Sequence, residues 1–262
     1  MKIFDTHCHI TDPRFEKDFD DMLVRARDYG VEKMLVVADP CDEHPNQEKV
    51  FGLVEQYDFI YAAIGVHPHN AEAYTDEAEQ TILKYIQHPK CRLWGEFGLD
   101  YHYDLSPREV QREVFDRQLE MAYQHGKRIQ LHIREAHGDS LDMLRPRAKA
   151  GRLSSGIMHC FGGSWESAKV YVDLGLYISI SGVVTFENAP KIAEVAQKVP
   201  IDRLLVETDC PYMTPVPMRG KRNEPAFTRH TLEKIAGLRG VDAEELAHQL
   251  WQNSLDALGI EE

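Results

Sequence analysis

Two histidines in the stretch IFDTHCHI, His7 and His9, are the first residues whose type and spacing suit chemistry. If the stretch is a strand, period two presents both imidazoles on one face and turns Cys8 to the other. Single donors stand at the ends of later apolar runs: Glu96 in LWGEF, His132 in IQLHI, His159 in GIMHC and Asp209 in LLVETD. Imidazole and carboxylate are ligands for zinc and for manganese-like divalent ions. A lone histidine in a strand is usually an ordinary core or surface residue. Six donors brought to one place exceed what a single open catalytic ion needs. They suit two ions sharing a bridging carboxylate. Left unpaired in one cavity they would be costly, so they need ions or one another.

The elements that must position them are short and nearly all apolar. Such runs cover residues 2–8, 33–38, 60–66, 91–97, 129–133, 156–161, 176–181 and 203–208. Unbroken apolar character is how parallel strands covered by helices read. Helical stretches separate them. In SPREVQREVFDRQLEMAYQHG, Ser106 is the expected N-cap, with Pro107 at N1, Glu109 completing a capping box and Gly126 as stop. Ser164 and Gly175 bracket another helix, and Asp242 with Glu245 begins the last. Strand ends recur at His9, Ala38, His67, Glu96, His132, His159, Ser181 and Asp209, about one βα unit apart. This predicts a (β/α)8 TIM barrel, with residues 1–262 forming a single α/β domain. An open doubly wound sheet is the alternative, but it places ligands at one switch point only. The polar strand ends here are spread round the ring, and a closed barrel gathers them at its C-terminal mouth.

Bulk properties narrow the classes. A length of 262 residues suits one barrel, and no run approaches a membrane span. The opening MKIFDTH lacks a secretory h-region, and the odd count of five cysteines argues against a disulfide scaffold, so a reducing cytoplasmic setting is expected. The net charge of −13 is unlike that of a protein gripping nucleic acid through its phosphates; either the substrate is not a polyanion, or positive charge arrives locally, as bound metal ions. There is no GxSxG elbow, P-loop or GxGxxG fingerprint.

Secondary candidates flank the six. Arg134, two residues past His132, is a cation suited to an anionic group; a rim salt bridge is its ordinary alternative. His67, in GVHPHN, contacts substrate, orients a ligand or merely closes the loop. Glu207 and Asp5 stand two residues before Asp209 and His7, one layer deeper and behind the ligands. Asp100 and Tyr101 are placed to line the mouth. His69, His102 and His137 lie on loops with no assigned role.

The motifs DTHCH, GVHPH, GEFGLDY, LHIREA, MHCF, ISISG and ETDCPYMTP, followed by RGKRNEP, resemble in order and spacing the TatD family of metal-dependent hydrolases over nearly the whole chain. The resemblance implies a TIM barrel and a magnesium- or manganese-dependent deoxyribonuclease, often acting 3′ to 5′ on single strands. Some relatives are linked instead to removing D-amino acids from tRNA. It further implies that His7 and His9 hold one metal, that Glu96 bridges, that His132 and His159 hold the second, and that Asp209 sits at the first metal near the attacking water. Glu96 rather than a lysine at the fourth strand favours this branch over lactonases and cyclic-amide hydrolases.

The expected function is therefore phosphodiester hydrolysis of DNA by hydroxide activated between two divalent ions (Mg2+, Mn2+ or Zn2+). Asp209 and Glu96 are catalytic, Arg134 and His67 contact substrate, and single-stranded DNA is the expected partner, with no membrane and no obligate protein partner. A metal-dependent ester or amide hydrolase, such as a D-aminoacyl-tRNA deacylase or lactonase-like enzyme, uses the same site on a carbonyl. A non-catalytic metal or nucleic-acid binder is the remaining class.

Overall fold

The computed structural model describes residues 1–261. Among them the eight apolar runs are strands: β1 (Ile3–Cys8), β2 (Val31–Ala38), β3 (Ile60–Ile64), β4 (Cys91–Asp100), β5 (Arg128–Arg134), β6 (Gly156–Met158), β7 (Leu176–Ile180) and β8 (Leu204–Val206). They pair in parallel in chain order. The helices α1 (Phe19–Asp28), α2 (Gln47–Gln56), α3 (Asp76–Tyr85), α4 (Arg108–Gln124), α5 (His137–Lys149), α6 (Trp165–Asp173), α7 (Pro190–Lys198), α8 (Thr228–Arg239) and α9 (Ala243–Leu258) follow them. No helix among the described residues is long and apolar enough to cross a membrane.

An open doubly wound sheet would keep β1 and β8 apart, but here they meet. Cys8 and Cys210 form a parallel bridge. His9 N donates to Cys210 O at 2.8 Å, and Asp209 N to His7 O at 3.0 Å. Asp5, fully buried, accepts the Thr208 amide at 2.9 Å and the Thr208 hydroxyl at 2.5 Å. The ring is thus nearly closed, and its seam is clamped at the mouth.

The barrel interior changes character along its axis. At the N-terminal end Phe4, Leu35, Leu93, Ile157 and Leu205 form an apolar plug with Leu255 and Leu258 of α9. Above it lies a neutral polar layer: Thr6 Oγ1 meets Ser179 Oγ at 3.0 Å, and Gln130 Nε2 donates to the Thr6 carbonyl at 3.0 Å. Ionisable side chains come next, at the C-terminal mouth.

Two irregularities set which side chains face inward. β1 gains a residue on β2 between Asp5 and Cys8, and β4 gains one on β5 between Trp94 and Phe97. A one-residue bulge reverses the alternation beyond it. Leu93 belongs to the interior plug and Trp94 to the strand–helix core. Strict alternation would turn Glu96 outward with Trp94; the bulge turns it inward. Likewise Thr6 and His7 both face the interior, so Asp5 does not lie behind His7 on the same face as alternation predicts. Cys8 faces outward as expected, packed in the strand–helix core with its Sγ donating to Leu35 O at 3.3 Å.

Caps follow the sequence at two of three helices. Ser164 accepts from Ser167 N, and Asp242 from Glu244 N and Glu245 N. The expected cap at Ser106 is corrected. Its hydroxyl donates to His69 O at 2.9 Å and accepts from Glu72 N, and Pro107, extended at ψ 139°, stands at the N-cap.

β4 passes β5 closely at Gly98, whose φ is +157° and whose absent Cβ would run into the carbonyl of His132. Gly98→Ala is expected to cost more than about 2 kcal/mol and lower Tm. Cys8→Ala should cost about 1 kcal/mol of packing and leave metal content, read by elemental analysis, unchanged.

Candidate metal centre

All six sequence-derived donors meet at the mouth, arranged around Glu96. Glu96 is only 5% exposed. Oε1 lies 2.7 Å from His132 Nδ1, 3.1 Å from His159 Nε2 and 3.6 Å from His67 Nε2. Oε2 lies 3.4 Å from His7 Nε2. On that second side, His7 Nε2 and His9 Nε2 face each other at 3.0 Å. Asp209 Oδ1 is 3.4 Å from His9 and 3.7 Å from His7. Asp209 has φ +55°, a left-handed conformation that Asp tolerates better than most residues, just past β8 where the chain turns. The rings of His7 and His159 stack with centroids 3.5 Å apart.

Carboxylates behind the ligands fix two of the rings. His132 turns Nδ1 to Glu96 and Nε2 to Asp100 Oδ2, 2.9 Å away. His159 turns Nε2 to Glu96 and Nδ1 to Glu207 Oε1, at 2.8 Å. Glu207 also accepts the Cys160 amide at 2.6 Å. An acidic partner on the far nitrogen fixes ring orientation and strengthens the near nitrogen as a donor. Glu207 therefore lies where the sequence placed it, behind the ligands, whereas Asp5 clamps the seam.

Charge is sorted within the cluster. Burial would raise the Glu96 carboxyl, but His159, His7 and His67 together with the bond from His132 outweigh it and hold it well below the usual range. Asp209 is lowered too; burial opposes this, and His9, His159 and His7 prevail. Burial and the neighbouring His159 lower His7. His159 is raised well above its ordinary value, since Glu207 and Glu96 overcome the opposing effect of burial.

The donor set fits divalent ions. His7, His9 and Glu96, and again His7, His159 and Asp209, place ligand atoms within 4.8 Å of one another. His67, Glu96 and His132 do the same. The Nδ1 of His7 is buried without a hydrogen-bond partner among the described residues, so its ring is anchored from the cluster side.

The remaining candidates divide. Arg134 lines the mouth cavity, of about 930 Å3, and makes no ion pair among the described residues; its guanidinium lies over the Tyr103 ring. His67 also lines the cavity. Burial pushes its pKa well below the ordinary value, and its Nδ1 accepts the His69 amide at 3.2 Å, which leaves Nε2 facing Glu96 and the cluster. Asp100 lines the mouth as expected, but Tyr101 does not: its hydroxyl is turned away to Asp139, at 2.6 Å. His69, unassigned from sequence, bonds Asp100 at 3.0 Å and extends the network outward. The one available signal was its period-two spacing from His67.

A nearly closed parallel barrel with clustered imidazole and carboxylate donors at its C-terminal mouth defines a metal-dependent hydrolase. The chain belongs to the TatD family: a family model described as TatD related DNase matches residues 4–259. It is 40% identical over 252 residues to the uncharacterized metal-dependent hydrolase YabD of Bacillus subtilis (strain 168), covering 96% of this chain and 97% of the relative. It is 34% identical over 257 residues to the 3'-5' ssDNA/RNA exonuclease TatD of Pantoea vagans (strain C9-1), covering 96% and 97%. Among solved structures, the TatD homolog YjjV of Escherichia coli K12 superposes with a TM-score of 0.90 at 31% identity, covering 99% and 98% of the two chains.

Removing divalent metal with a chelator should lower Tm, and returning manganese or zinc should restore it. Asp100→Asn and Glu207→Gln should each weaken metal binding about 10- to 100-fold, read as a rightward shift in the metal concentration that raises Tm.

Proposed function

We propose that the protein is a two-metal nuclease that hydrolyses phosphodiester bonds of single-stranded DNA from the 3′ end. The observation that carries this reading is the Glu96 carboxylate. Its two oxygens face different donor groups on the floor of a cavity that also presents Arg134, which makes no ion pair among the described residues. The exonuclease name of the Pantoea relative supports it.

His7, His9 and Asp209 would hold one ion, His132 and His159 the other, with Glu96 reaching both. When bound, such a pair would supply Lewis acidity toward a phosphoryl oxygen and would lower the pKa of a bound water. Asp209, kept ionised by its histidines, takes the proton of the attacking water on a carboxylate oxygen as the new P–O bond forms, and returns it to the leaving sugar oxygen as the P–O bond to that oxygen breaks. Arg134 pairs with the non-bridging phosphate oxygens as their charge grows. His67 donates from Nε2 to the same group. Its neutral state lets it do so without adding a buried charge. A cytoplasmic setting fits the five cysteines, all of them free thiols.

A second reading keeps the site and changes the substrate to a carboxylic ester or amide, including an aminoacyl-tRNA. The net charge of −13 favours a substrate with fewer phosphates than a long polynucleotide.

The test is hydrolysis of 3′- and 5′-labelled single-stranded DNA by protein loaded with magnesium, manganese or zinc. Glu96→Ala and His159→Ala should each reduce the rate by about 1,000-fold or more. Cleavage equal to that of the parent would mark a contaminating nuclease and end the reading. Turnover of carbonyl esters or D-aminoacyl-tRNA without turnover of DNA would favour the second one.

A further inference from the structure

We infer that Tyr103 and Tyr212 are base-stacking platforms that make the site select unpaired nucleotides. This inference rests on the nuclease reading and deepens it.

Most large apolar side chains of the chain are buried, yet two aromatic rings on the rim of the mouth cavity are not: Tyr103 is 54% exposed and Tyr212 is 48% exposed. Each carries a guanidinium over its ring, Arg134 at 4.7 Å from the Tyr103 centroid and Arg14 at 4.5 Å from that of Tyr212. The two rings flank different parts of the cluster. Tyr212 and His9 meet T-shaped, with centroids 6.2 Å apart. Tyr103 meets His69 T-shaped at 5.4 Å and His102 T-shaped at 4.8 Å, beside the Asp100–His132 pair. The Arg14 fork is held by both oxygens of Asp12, which fixes it against its ring.

An exposed aromatic ring backed by a cation, repeated on either side of a cavity that can bind a phosphate, matches a polynucleotide with free bases. Bases stack on such rings with little regard to sequence, and cations answer the backbone. Bases in a duplex already use both faces on their neighbours and gain nothing from the platforms. The surface also supplies a control: Tyr123 is 40% exposed with Arg152 at 5.7 Å from its ring, but lies outside the cavity.

The experiment compares KM and kcat, with manganese, on a short oligothymidylate and on an abasic oligomer of equal length and charge. The parent should show a clearly lower KM for the thymidylate. Tyr103→Ala and Tyr212→Ala should each raise that KM about tenfold, with kcat changed far less, and bring it toward the abasic value. Tyr→Leu, which keeps apolar bulk without a ring, should match Ala. Tyr→Phe and Tyr→Trp should retain the low KM, and Tyr123→Ala should behave as the parent. Unchanged KM in the Ala and Leu variants, or an equal rise on both oligomers, would overturn the inference while leaving the nuclease reading in place. A metal-loaded parent that cleaves neither oligomer would overturn both.

Discussion

A carboxylate largely withdrawn from water at the floor of a protein cavity must be surrounded by groups that answer its charge. Glu96 is in that position, and much of the molecule is arranged to satisfy it. Imidazoles from β1, β5, the turn after β3 and the turn after β6 converge on its two oxygens. None of those strands can shift register without withdrawing a ring. The bulge in β4 exists at the one place where it turns Glu96 inward, and the bare backbone of Gly98 lets β4 come close enough to β5 for His132 to reach it. Asp100 and Glu207 in turn hold two of those rings. The net result is alternating charge, carboxylate to imidazole to carboxylate, from the axis outward.

Much of this was legible in the sequence. Unbroken apolar runs separated by helices and ending in donors gave all eight strands and their order, because parallel strands buried on both faces leave little else to read. The six donors were visible because strand ends recur at regular intervals and the barrel makes their meeting place common. What was hidden depended on departures from period two. One extra residue in β1 or β4 leaves no mark in composition, yet it decides whether His7 shares a face with Asp5 or with Thr6. Ser106 was misread for a related reason: a serine before a proline looks like a cap, but the nearby His69 carbonyl, distant in sequence, claimed its hydroxyl. The contact between His69 and Asp100, and the stance of Tyr103 and Tyr212 at the rim, are tertiary facts with no local signature.

The axial layering explains how so many ionisable groups share one barrel without unfolding it. Desolvation is most costly where nothing polar answers, and there the interior is filled by apolar side chains such as Phe4, Leu35, Leu93, Ile157 and Leu205. Thr6, Gln130 and Ser179 intervene with neutral hydrogen bonds. Ionisable groups begin only where each has a counterpart and the cavity opens. Stability is thus concentrated at one end of the barrel and chemistry at the other.

The seam between β1 and β8 has a temporal side. His7 and His9 stand on one bank of it, and Asp209 on the other, with about 200 residues of chain between. Asp5 cannot grip Thr208, nor His9 bond Cys210, until both banks exist. During synthesis the first histidine pair therefore emerges long before the aspartate that completes its group. A growing chain can offer only part of the donor set, and the full constellation is assembled by the same event that shuts the ring. Ring closure and completion of the centre are one step, so no chain that stops short of Asp209 carries the assembled site.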